Sequence, residues 1–92
     1  MSFDFYNRNV DERARARSLP ALNVVLLQAL ALSLPPADYF RYRALEAIRH
    51  TTISTKEERE AREEATRLGW MDRNGALTDA GRSGAFGLLA AV

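Results

Sequence analysis

The sequence predicts a mainly α domain of three to four helices with one small β-hairpin. Three observations lead there. An apolar run at residues 19–34 has the length and composition of a helix buried on most sides. Residues 53–81, ISTKEEREAREEATRLGWMDRNGALTDAG, open on helix-capping residues, run through good helix formers and meet a stop at Gly69. Asn74-Gly75 sits between short flanks at 70–73 and 76–78, and is the dipeptide most compatible with a two-residue type I′ turn.

Length and composition bound the rest. A chain of 92 residues, 47% hydrophobic and 27% charged, makes one globular domain with a modest core. Residues 1–17 read as an N-terminal arm and 18–92 as the domain. Cysteine is absent, so disulfide staples and thiolate chemistry are excluded. The net charge of +1 means that any nucleic-acid contact rests on a local patch, not on the total. The run at 19–34 is short for a membrane span and is interrupted by Pro20, Asn23 and Gln28. Arg13, Arg15 and Arg17 before it suggest a signal peptide, but Asp4, Asp11 and Glu12 lie in the same segment. A cytoplasmic protein with no membrane partner is expected.

In the arm, Phe3, Phe5 and Tyr6 are apolar anchors, and DERARAR alternates arginine with alanine. It either lies on the domain or reaches a phosphate backbone. The first helix is expected at 18–34, with Ser18 as N-cap and Pro20 in the first turn. Its inner face belongs to the core. Its outer face, Leu22, Leu26 and Leu30, is expected to build a homodimer with Leu88, Leu89 and Val92 from the last helix; the alternative is a wholly intramolecular core helix. Pro35-Pro36 breaks the chain. A second helix starts at Ala37 or Asp38 and ends at His50. Phe40, Ala44, Ala47 and Ile48 form its apolar face and Leu45 widens it. Tyr39, Arg41, Tyr42 and Arg43 either rim the core or offer stacking and phosphate contacts. His50, the sole histidine, has no metal-ligating or catalytic companion.

After a turn at 50–53, a third helix runs from Ser54 or Thr55 to Leu68. Two overlapping capping boxes are possible, Ser54 with Glu57 and Thr55 with Glu58. Ala61, Ala65 and Leu68 face inward. Lys56, Arg59, Glu63 and Thr66 face outward, and Glu58–Arg62 and Glu63–Arg67 are i,i+4 pairs. Two readings stand: a solvated helix laced with ion pairs, or a recognition helix for the major groove. Trp70 and Leu77, helped by Met71, should pin the hairpin, whose tip is Arg73-Asn74-Gly75. A last helix from Thr78 carries Gly81, Gly84 and Gly87, a weak pattern unless another backbone packs closely on it.

The order of helix, Leu68-Gly69-Trp70, hairpin and Leu77-Thr78-x-x-Gly81-Arg82 resembles the recognition helix, wing and following helix of winged helix-turn-helix regulators of the MarR and PadR kind. The resemblance implies a DNA-binding transcriptional regulator or repressor acting as a dimer. It implies double-stranded DNA contacts from Thr55, Lys56, Arg59, Arg62 and Arg73, with Arg41 and Arg43 as backbone clamps.

No phosphate loop, metal-ligand cluster, nucleophile elbow or triad is present in the sequence, so no enzyme, cofactor or metal is expected. A second function class remains open: a protein–protein interaction module without DNA binding, such as an accessory subunit or a small phage or mobile-element protein. A purely structural oligomerisation domain is a third.

Overall fold

The computed structural model describes residues 19–91. The expected arm at 1–17, with Ser18 and Val92, lies outside the described residues. Four helices follow in order: α1 (Ala21–Ser33), α2 (Tyr39–Ile48), α3 (Thr55–Arg67) and α4 (Asp79–Ala91). No helix among them is long and apolar enough to cross a membrane.

Helix α1 organises the others because its sequence has almost no polar side. Val24, Val25, Leu26, Leu27, Ala29, Leu30 and Ala31 are all buried, and these positions run round the whole helix. Each of the other helices packs on α1, and α2 also touches α4. Leu26, Leu30 and Leu89, expected in a dimer interface, are covered by the chain's own helices and are core side chains. Leu22 and Leu88 are half-buried against the same core.

Local chemistry sets the ends of α2 and α3. Pro35 and Pro36 follow Leu34, the C-cap of α1, and Asp38 caps α2 by accepting from Phe40 N at 2.7 Å. Ala44 is fully buried, and Ala47 and Ile48 pack on the core. Leu45 does not widen that face, as expected from the sequence, but points outward at 46% exposure. In α3 the Ser54–Glu57 box forms, with Glu57 N to Ser54 Oγ at 3.1 Å and Ser54 N to Glu57 Oε1 at 3.0 Å. Glu58 instead pairs with Arg62. Ala61 and Ala65 let α3 lie close on α1, whereas Leu68, expected inward, caps the helix and is exposed. Gly69, at φ 82°, then reverses the chain in a conformation that glycine adopts without strain.

The box has a consequence at low pH. The Ser54 backbone N–H, and then its hydroxyl, hold the Glu57 carboxyl below its ordinary value of 4.5. A depressed carboxyl stabilises the fold above 4.5, and that contribution is lost as the pH falls through the lowered value. The Ser54 amide resonance should therefore titrate with Glu57 below pH 4.5, and Glu57→Gln should abolish that titration.

The expected β-hairpin wing does not form. The fold is all-helical, with one isolated antiparallel bridge between Met71 and Leu77 and no sheet among the described residues; it is not a winged helix. Both flanks are already committed. Trp70 N and Met71 N donate to Ala65 O at the end of α3, and Thr78 Oγ1 caps α4 by accepting from Gly81 N. Little backbone is left to extend a ladder. The turn differs too. A type I′ turn needs positive φ at both central residues, but Asn74 has none and only Gly75 does, at 81°. Gly75 N donates to Asp72 O, Asp72 N donates to Ala76 O, and the Asp72 carboxylate accepts from Asn74 N and Ala76 N. That side chain stabilises a turn closed over Arg73-Asn74-Gly75, with glycine in the left-handed position.

One of the three α4 glycines is required by packing. A Cβ on Gly81 would fall 2.8 Å from the Trp70 carbonyl carbon and nearer still to its oxygen. Gly84 and Gly87 have open space where a Cβ would stand. Gly87→Ala should therefore stabilise the protein, by up to about 1 kcal/mol. A denaturation midpoint unchanged or lowered would contradict the free space at that position.

Candidate nucleic-acid interface

Along α3, positions 55, 59, 62 and 66 follow one another on a single side of the helix. The turn at 72–75 faces that side because Gly69 reverses the chain and Met71, buried at 2% exposure, anchors the return. Between helix and turn lies an open trough of about 840 Å³. Its cations are Arg59, Arg62, Arg67 and Arg73; its neutral polar groups include Thr55, Thr66 and Asn74.

Its acids are Glu58, Glu63 and Asp72. Two of the three are engaged. Glu58 Oε1 accepts from Arg62 Nε and Nη2, both at 3.2 Å. Asp72 shapes the turn. Arg67 pairs with Glu64, a residue outside the trough, and not with Glu63 as the sequence suggested. Both spacings bring side chains together on a helix, and here i,i+3 prevails over i,i+4. Exposed pairs of this kind contribute on the order of 0.2–1 kcal/mol and yield readily to a stronger anion.

Arg62 has a second task. A Cβ built on Gly75 would meet Arg62 Nη1 at 3.8 Å, so the guanidinium lies against the turn while Glu58 holds it from below. It joins α3 to the turn and separates the trough from a smaller recess lined by Leu32, Asn74 and Leu77. Arg59 and Arg73 have no ion pair or hydrogen bond among the described residues, so both are available to a ligand.

Of the seven nucleic-acid contacts expected from the sequence, the fold brings Thr55, Arg59, Arg62 and Arg73 together in the trough. Lys56 lies on the exposed surface of α3 outside its lining. The two α2 arginines are engaged elsewhere. Arg41 Nη1 donates to Leu34 O at 3.1 Å and ties α2 to the preceding linker. Arg43 lies over the Tyr39 ring at 5.8 Å and donates to its hydroxyl at 3.3 Å. The sequence did not offer Arg67 or Asn74 as companions, whereas Thr66, expected on the outward face of α3 with Arg59, lines the trough as well.

No three His, Cys, Asp or Glu residues are grouped to hold a metal ion among the described residues. No protein-family model matches this chain, and neither a curated protein nor a solved structure matches it.

Proposed function

We propose that this chain binds double-stranded DNA through α3 and the turn at 73–75, in the manner of a small transcriptional regulator but without a wing. The observation that carries the reading is the convergence of Arg59, Arg62, Arg67 and Arg73 on one open trough. Arginine suits phosphate because its planar fork donates in pairs and stays charged at every working pH. Helix α3, with 13 residues, is about 20 Å long, and a major groove about 12 Å wide admits such a helix. With α3 in the groove, Arg73 and Asn74 stand beside a phosphate strand. A cytoplasmic location goes with this reading.

The test is fluorescence anisotropy on a mixed-sequence duplex, begun at low salt and titrated upward. Neutralising two or three phosphates gives a log–log slope of roughly −2 to −3. Absence of binding at low salt would remove the reading, because non-specific affinity is the first to appear.

A second reading, contact with a protein, is favoured by one observation. Tyr39, Tyr42 and Leu45 on α2 are exposed at 61%, 63% and 46%. Tyrosine beside arginine is the composition of protein-interface centres. If that face joins two copies, sedimentation should give a dimer that Tyr42→Glu dissociates; a monomer throughout would remove this use of the face.

A further inference from the structure

Helix α3 carries five glutamates, and their bonds differentiate them. Glu57 belongs to the capping box, Glu58 holds Arg62, and Glu64 holds Arg67. Glu60 and Glu63 make no ion pair or hydrogen bond among the described residues, and only Glu63 lines the trough. It stands one helical turn after Arg59, beside Thr66 and opposite the buried Ala61 and Ala65. A carboxylate there opposes phosphate, and the low dielectric of a closed interface strengthens the repulsion. The same carboxylate is well matched to one group of the major groove, the N4 amino donor of cytosine.

We propose that Glu63 determines specificity by accepting a hydrogen bond from cytosine N4, while Arg59 donates to the O6 and N7 of a guanine. The inference rests on the DNA reading above. Four residues of helix rise about 6 Å, close to two base-pair steps of 3.4 Å, so the two contacts fall about two steps apart. Arg73 holds phosphate and supplies affinity without sequence information. The target is therefore duplex DNA containing G·C pairs, read from the major groove.

The experiment compares three duplexes of equal length at one low salt concentration, for the wild-type protein and Glu63→Gln. The first contains G·C pairs, the second replaces each guanine with inosine, and the third contains only A·T pairs. Inosine keeps the major-groove face of guanine and removes its minor-groove amino group. Wild type should bind the first two alike and the third roughly tenfold more weakly. Glu63→Gln should bind the A·T duplex more tightly than wild type does, since the amide removes the repulsion and pairs with adenine, and should narrow the discrimination to the part that Arg59 supplies. Wild-type binding that is equal on all three duplexes would overturn the assignment while leaving DNA binding intact. So would a preference unchanged by Glu63→Gln, or an inosine duplex that behaves like the A·T duplex. Wild-type failure to bind any duplex would overturn both readings.

Discussion

Gly81→Ala is expected to destabilise the protein by about 3 kcal/mol, the upper end for overpacking a tight contact. The added Cβ would fall 2.8 Å from the Trp70 carbonyl carbon, and that atom belongs to backbone, not to a side chain that can swing away. The Trp70 carbonyl also accepts from Thr78 N at 3.1 Å, and Thr78 in turn caps α4 and donates to Gly69 O. Moving α4 off Trp70 therefore disturbs the turn and the cap together. For a domain of this size the loss corresponds to a fall in melting temperature of roughly 12–24 °C. Circular dichroism on heating measures it directly. A midpoint within two or three degrees of wild type, taken as about 0.5 kcal/mol, would mean that α4 and Trp70 are not in backbone contact.

The second large effect concerns the trough. Arg59→Ala with Arg73→Ala should weaken duplex binding about 100-fold, taking each charged hydrogen bond at about 1.5 kcal/mol and 1.4 kcal/mol per factor of ten. The salt slope should become shallower by about 0.9, for the one phosphate contact that Arg73 makes. Neither arginine makes an ion pair among the described residues, so the melting temperature should hardly change. Arg49→Ala is the control. That residue is exposed at the C-terminal cap of α2, paired with Glu46, and absent from the trough lining, so its loss should leave affinity near wild type. A loss of about tenfold in Arg49→Ala, half that of the double variant on a logarithmic scale as its single charge would give, would mean that binding follows total charge and not this site.

The helices were legible wherever a local rule had no competitor. Ser54 caps as its position suggests, and the near absence of polar residues in α1 marked it as central. The hairpin was not legible, because two local rules conflict there. Asn74-Gly75 favours a type I′ turn, but Asp72 offers its carboxylate to Asn74 N and Ala76 N and selects another turn. The backbone donors that a wing needs are also taken by the end of α3, and that follows only from the tertiary path. Leu26, Leu30 and Leu89, expected at an interface, lie in the chain's own core for a related reason. Apolarity marks a residue for burial without saying whether its own chain or a second copy covers it.

The site was legible in part. Thr55, Arg59 and Arg62 share a helical side that periodicity reveals, and the trough also includes Arg73. Arg41 resembled them in the sequence but reaches back to Leu34 O. The partnering of Arg67 with Glu64, which leaves Glu63 unengaged, depends on side-chain packing that spacing alone does not decide.

The most direct measurement is a two-dimensional amide NMR titration of the full chain with an unlabelled duplex. If the trough is the DNA site, the largest shifts should map to Thr55, Arg59, Glu63, Thr66 and the turn at 73–75, with the exposed face of α2 unaffected. Shifts concentrated on Tyr39, Tyr42 and Leu45, with α3 and the turn silent, would contradict it and move the functional surface to α2.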